Sequence, residues 1–329
     1  MKKAIILLTV VGSVLFLCSF FNTSPHSAQL SFTGEPKNKA QLGEVLFFEK
    51  LLSADSSISC GSCHIPAFAF ADTVAFSIGV GGRLGKRNAP SCMNMDGRDL
   101  LFYDGRAASL EDQVRFPIED HNEMNLPIAE AVSRLNKKEH YVRLFAAIFN
   151  SKPTEATLKE AIAAFERTLE TSKTPFDRYM AGNDSAISAS AIRGRELFMG
   201  AKALCFECHF SPDFTGDEFR NIGLFDGKLF NDSGRYVISK KAKDIGRFKV
   251  PGLRNVAATA PYMHNGMFRS LREVIDYYND PYKTVKHPIN TDSLLTKPLG
   301  LTEAEKTDIE NFLLTLTDDR FAEVAKKRR

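Results

Sequence analysis

Hydrophobic positions along the chain fall into distinct patterns. The first is an apolar run from Ala4 to Phe21, preceded by Met1-Lys2-Lys3 and turning polar at Asn22. A basic start before such a run is a signal-peptide pattern, and this run is also long enough to remain as a membrane anchor. The second pattern is helical. From Lys39 to Phe48, Leu42, Val45 and Leu46 share one side, and from Glu155 to Thr171 the positions Leu158, Ala161, Ile162, Phe165 and Leu169 face inward. Leu271, Val274, Ile275 and Tyr278 recur at i, i+3, i+4 and i+7. Near the end, Thr302 and Glu305 form a capping box ahead of Ile309, Phe312, Leu313 and Leu316. Alternation is scarce, so few strands are expected. The stretches 71–127 and 211–262, rich in Gly, Pro and Asn, read as long loops. The chain is predicted to be mainly α with unusually long connections.

One phrase occurs twice. Gly43-Glu44-Val45-Leu46-Phe47 is echoed by Gly194-Arg195-Glu196-Leu197-Phe198. Each is followed by a chemically specific pentapeptide, Cys60-Gly61-Ser62-Cys63-His64 and Cys205-Phe206-Glu207-Cys208-His209. Two cysteines separated by two residues and followed by histidine read as a covalent c-type haem site, the thiols bonding the vinyl groups and the imidazole binding iron. A zinc site, a redox pair or a structural disulfide would use the same cysteines. Zinc pairs usually recur close together, whereas these lie 145 positions apart. The repeat of helix, loop and pentapeptide predicts two cytochrome c-like domains, each around one covalent haem. Residues 1–28 are assigned to the signal peptide or anchor, 29–182 to the N-terminal domain and 183–329 to the C-terminal domain, with the polar stretch 181–190 as linker. A haem supplies apolar surface around which short helices and irregular loops can pack.

Composition agrees. At 329 residues, 43% hydrophobic and 25% charged, the chain is long enough for two cores. The formal charge is +3, and Lys2 and Lys3 of the leader contribute two of those charges. Haem propionates would bring the mature protein close to neutral, which gives no reason to expect a nucleic-acid partner. The basic end Lys326, Lys327, Arg328, Arg329 reads as a solvated terminus. Export fits haem attachment outside the cytoplasmic membrane, so a periplasmic location is expected, tethered if the apolar run is retained. Cys18 follows Leu15-Phe16-Leu17, which is a poor lipoprotein signal.

Between and after the pentapeptides lie Arg87-Asn88-Ala89-Pro90-Ser91, Phe102-Tyr103-Asp104-Gly105-Arg106-Ala107, Asn122-Glu123-Met124, Pro251-Gly252-Leu253-Arg254-Asn255-Val256 and Thr259-Ala260-Pro261-Tyr262-Met263-His264-Asn265-Gly266. In this order, from about Leu42 to Leu316, the chain resembles the bacterial di-haem cytochrome c peroxidase family. The resemblance implies that hydrogen peroxide is reduced at the N-terminal haem. A small cytochrome c or copper protein would feed electrons through the C-terminal haem.

It implies His64 and His209 as proximal iron ligands, Glu123 as the distal carboxylate that moves the peroxide proton and Gln113 as its distal hydrogen-bond partner. Relatives that rest inactive carry a capping histidine where this chain has Val80, so the first iron is expected to stay open. His121 is read as a loop or surface residue. Tyr278 stands where the peroxidases proper have an axial methionine. Tyrosine there is the pattern of the MauG-like branch, with Met263 and Met267 as fallback ligands. Tyr103 replaces the family's tryptophan between the haems, and the chain has no tryptophan at all. Asn88, Thr259 and Pro261 match the family's calcium site. Cys92 is expected to be a lone buried thiol, and His264 an inter-domain hydrogen-bonding residue. A homodimer is usual in the family. Oxidation of a protein substrate in the MauG-like manner, and a non-enzymatic di-haem electron carrier, are the competing readings.

Overall fold

A computed structural model describes residues 31–328, so the expected leader or anchor lies outside the described residues. The α-helices follow in the order α1 (Lys39–Phe47), α2 (Cys60–Cys63), α3 (Leu110–Glu119), α4 (Ile128–Asn136), α5 (Glu139–Phe149) and α6 (Glu155–Glu166). They continue with α7 (Pro175–Met180), α8 (Ala189–Met199), α9 (Tyr236–Ser239), α10 (Leu271–Asn279), α11 (Glu303–Leu314) and α12 (Ala322–Lys327). Sheet among the described residues is confined to one antiparallel pair, β1 (Phe219–Arg220) and β2 (Phe248–Lys249), with Phe219 opposite Lys249. The protein is therefore helix-rich with little sheet. No helix among the described residues is long and apolar enough to cross a membrane.

The repeated phrase has a physical cause. α1 crosses α6 and α8 crosses α11, and at each crossing a glycine lets the backbones touch. A Cβ on Gly43 would lie 1.8 Å from the Ala161 carbonyl oxygen, and one on Gly194 would lie 1.8 Å from that of Asp308. One turn further on, Phe47 meets Phe165 edge-on at 5.2 Å, and Phe198 meets Phe312 edge-on at 5.2 Å. These crossings seed two apolar clusters. Leu42, Leu46, Phe145, Leu158 and Ile162 belong to the first. Phe176, Phe214, Leu271, Ile275 and Leu316 belong to the second. Arg87 paired with Asp232, and Arg98 paired with Asp213 and Asp217, tie early segments to late ones.

Alanine is ordinarily the better helix former, but here its methyl group has nowhere to go. Gly194→Ala is expected to cost about 3 kcal/mol or more by overpacking. Equal or higher thermal stability in that variant would contradict the crossing geometry.

Three expectations are corrected. The helix read as reaching Thr171 ends at Glu166, where Thr168 bonds the Phe165 carbonyl through both its backbone N–H and its hydroxyl. Leu169 still reaches the core from the following turn, which is why its spacing looked helical. The stretch 71–127 is not all loop. It holds α3, capped by Ser109 accepting from the Asp112 N–H, with Leu110, Val114 and Ile118 buried along one side. The polar linker is shorter than 181–190, because Ser188 already caps α8.

Candidate functional site

The second pentapeptide opens onto a cavity. Cys205–Glu207 form one 3-10 turn, and the His209 N–H closes back on the Cys205 carbonyl at 2.9 Å. The His209 ring directs Nδ1 at the Phe214 carbonyl, 2.9 Å away. A carbonyl can only accept, so Nδ1 carries the proton and Nε2 keeps its lone pair. Burial also holds this imidazole below its ordinary pKa, in the neutral form that binds metals. The cavity is about 210 Å³ and is lined by Cys205, Cys208, His209 and mostly apolar side chains, including Leu313.

All four positions of the α10 stripe, Leu271, Val274, Ile275 and Tyr278, line it as well. Burial pushes the Tyr278 phenol up, and the Cys208 and Cys205 thiols add to the effect, which sets this phenol near both cysteines. Its neighbour Tyr277 turns elsewhere and donates to the Ile222 carbonyl at 2.6 Å. Met263 lines the same cavity. The Met267 sulfur accepts instead from the Asn265 amide, at 3.6 Å.

The first pentapeptide is built alike. Ser59 and Ser62 cap α2 reciprocally, the His64 N–H reaches the Cys60 carbonyl at 2.9 Å, and its Nδ1 lies 3.0 Å from the Phe70 carbonyl. Burial raises both thiols, Cys63 to about 11. Free thiols so protected are poor nucleophiles and poor zinc ligands without ionisation. Paired thiols beside a buried imidazole with a free lone pair, in apolar surroundings, fit a covalently attached haem.

Glu123 comes within electrostatic reach of both Cys60 and Cys63. Burial, then the Asp120 charge, raises its carboxyl to about 7, with Arg106 opposing. Its backbone is pinned, because the Val80 N–H donates to the Glu123 carbonyl at 2.9 Å. A Cβ on Gly79 would lie 2.0 Å from the Asn122 carbonyl oxygen, so the two loops are in contact. Val80 is buried. Gln113 lies half-buried on α3. His121 is exposed, with Nδ1 3.3 Å from the Asn125 side-chain oxygen.

Two residues near this site had no role in the sequence reading. Arg106 sits over the Phe102 ring at 3.5 Å and pairs with Asp104 at 3.1 Å. It belongs to the Phe-Tyr-Asp-Gly-Arg phrase, so its position was marked but its partner was not. Glu166, at the end of α6, is buried, and its charge acts on the Cys60 thiol. A charged residue on an otherwise apolar helical stripe was the available signal.

A second cavity, of about 170 Å³, brings together Asn88, Thr259, Pro261 and Tyr103. Asn88 donates its Nδ2 to the Val74 carbonyl and its backbone N–H to the His264 carbonyl. A side-chain amide and backbone carbonyls are neutral oxygen donors of the kind calcium accepts. Among the described residues no group of three or more His, Cys, Asp or Glu forms a metal cluster. Tyr103 lines both cavities. Burial raises its phenol against the opposing Arg87 charge. Its ring stands edge-on to Phe248 at 6.5 Å, and Phe248 stacks on His264 at 3.8 Å. His264 thus bonds through its backbone carbonyl while its ring stacks. Burial holds that ring neutral, near a pKa of about 4. Cys92 is a free, half-buried thiol packed against the first cluster.

Residues 37–185 match the family described as di-haem cytochrome c peroxidase. The chain is 38% identical to the methylamine utilization protein MauG of Methylorubrum extorquens, over 89% of this chain and 81% of that one. It is 36% identical to a cytochrome-c peroxidase of Denitromonas iodatirespirans, over 85% of this chain and 81% of the other. Its structure is similar to the crystal structure of a MauG-like protein associated with microbial copper homeostasis. That match has a TM-score of 0.78 at 33% identity and covers 86% of this chain and 92% of that one.

Proposed function

The chain belongs to the di-haem cytochrome c peroxidase family, and from that premise we propose that it is an exported enzyme reducing hydrogen peroxide to water with electrons from a small cytochrome c or copper protein. In this reading 29–182 and 183–329 are cytochrome c-like domains. Cys60 and Cys63 hold one haem with His64 as ligand, and Cys205 and Cys208 hold the other with His209. Haem iron, when bound, supplies the redox centre that accepts peroxide on one side of the molecule and passes electrons on the other.

The observation that carries the reading is the buried Glu123 held against the Val80 loop by the Val80 N–H. Valine has no atom to ligate iron, so peroxide has access to the first site. Glu123 takes the proton from the inner peroxide oxygen and returns it to the outer one, a transfer best served by a group titrating near the working pH. Arg106 holds compensating charge nearby, and Gln113 orients the oxidant. Tyr103 spans the two cavities as a relay that must give up its phenolic proton when oxidised. Asn88, Thr259 and Pro261 would hold calcium between the halves, and a homodimer follows the family habit.

Tyr278 is assigned as the second ligand of the C-terminal iron. A phenolate oxygen stabilises oxidised iron where thioether sulfur favours the reduced form. Tyr278→Met is therefore expected to add a thioether-to-iron charge-transfer band and to raise that haem's potential. An identical band in the unmodified protein would assign the ligand to Met263 instead.

The Tyr278 position also favours a second reading, MauG-like oxidation of a protein substrate. The absence of tryptophan weighs against it by altering the hopping path. Steady-state peroxide reduction with a reduced small cytochrome is the deciding assay. Sustained turnover supports the peroxidase. Rapid single-turnover oxidation by peroxide without sustained turnover supports the MauG-like role. Inertness in both assays would leave a di-haem electron carrier.

A further inference from the structure

We propose that Glu166 binds a proton when the first haem accepts an electron, so that the two transfers are linked at that site. This rests on haem attachment at Cys60 and Cys63 as read above.

The internal repeat fixes where Glu166 points. The glycine crossings align Ala161 with Asp308, and the phenylalanine pairs align Phe165 with Phe312. The next position is Glu166 on α6 and Leu313 on α11. Leu313 lines the cavity that holds Cys205, Cys208 and His209. The position that offers a leucine to the second haem site thus offers a carboxyl to the first. Consistent with that placement, Glu166 is the foremost electrostatic neighbour of the Cys60 thiol and also acts on Cys92.

Glu166 is 6% exposed, and its Oε2 has no hydrogen-bond partner. Leaving a buried carboxyl oxygen unpaired is destabilising, a cost that leucine at the same position avoids. Burial raises this carboxyl to about 8, with Arg167 opposing and Glu111 on α3 adding to the rise. Arg167 spends its charge on Glu111 and Asp96, at 2.8 and 3.3 Å. On α1, Lys39 pairs with Glu160, and Glu44 accepts from Ser31. Cys60, as a thioether, would not titrate. Glu166 is thus poised to change protonation with the charge beside it.

The step balances simply. Ferric haem takes one electron from the donor protein, the Glu166 carboxylate takes one proton from solvent, and the products are ferrous haem and the carboxylic acid. The only bond formed is O–H. Removing a positive charge from the iron weakens its attraction for the carboxylate and raises the affinity for the proton. By linkage, the reduction constant rises up to tenfold per pH unit of acidification, which is ~59 mV for one electron.

The test uses the holoprotein. Optical redox titration of the first haem across neutral pH, with reduced-minus-oxidised infrared spectra, compares the unmodified protein with Glu166→Gln, Glu166→Leu and Glu123→Gln. A carboxylic acid C=O band should appear on reduction and shift in heavy water. It should persist in Glu123→Gln and vanish in both Glu166 variants, where the pH slope should flatten. The same band and slope in Glu166→Gln as in the unmodified protein would overturn the proposal. Should neither Glu166 variant load haem, the Glu123→Gln protein decides, because absence of the band there also overturns it. Unmodified protein without covalent haem at Cys60 and Cys63 would instead remove the underlying reading.

Discussion

Glu123→Gln is expected to lower peroxide turnover by about 10²–10⁴-fold while both haems stay attached. The amide keeps the size and the loop contacts of the carboxyl but cannot take a proton from peroxide. The Val80 N–H bonds the Glu123 backbone carbonyl, so the substitution leaves the anchoring intact. The pH profile provides a second signature. Because burial raises the Glu123 carboxyl to about 7, the acting carboxylate is depleted below that pH. The peroxide rate constant should fall up to tenfold per unit of acidification there and level off above it, and Glu123→Gln should lack this limb.

The sign for stability is opposite. The folded state holds this proton more tightly than the unfolded chain, so ionisation destabilises the fold as pH rises from the ordinary carboxyl range through about 7. Glu123→Gln should therefore be no less stable than the parent above neutral pH. Stopped-flow mixing with peroxide and thermal melts across pH would check both. Undiminished turnover in the variant refutes the assignment of Glu123.

Replacing both Cys205 and Cys208 by Ser is expected to halve the haem content and to separate the two halves of the reaction. The first site should still react once with peroxide, since Cys60, Cys63, His64 and Glu123 are untouched. Turnover sustained by a reduced donor protein should fail, because the electron entry site is gone. Loss of the porphyrin also leaves the apolar cavity of about 210 Å³ unfilled, so a lower melting temperature is expected. Intact mass after denaturation reports attachment, and single-turnover against steady-state kinetics reports the division of labour. Full haem content in the double variant would show that covalent attachment lies elsewhere.

Much of this was legible in the chain because the decisive signals are local. The pentapeptides fix a turn, a thiol pair and an imidazole within five residues. The glycine in each repeated phrase reports a helix crossing that no larger residue could make. The Thr302 and Glu305 box marked the start of α11 correctly. The α10 stripe predicted one buried side, and the structure directs that side, with Tyr278, into the cavity beside His209. What the sequence hid depends on distant partners. α3 begins inside a stretch rich in Gly, Pro and Asn, and its three buried positions are too few to outweigh that composition. Glu166 interrupts the apolar stripe of α6, but the groups that act on it, Cys60 and Glu111, come from distant segments. The proximity of Arg106 to Glu123 depends on a loop return spanning α3. His264, read as an inter-domain hydrogen-bonding residue, does bond the Asn88 N–H, but through its backbone carbonyl, while its ring stacks on Phe248, a division no spacing rule encodes.

Electron paramagnetic resonance of the oxidised holoprotein, taken without prior reduction, tests the central claim most directly. Two ferric signals in equal amounts are predicted. One is high-spin, from the iron whose second face is left open beside Val80 and Glu123, and one is low-spin, from the iron closed on both faces. Two low-spin signals, or no haem signal from protein with intact Cys60 and Cys205, would contradict it.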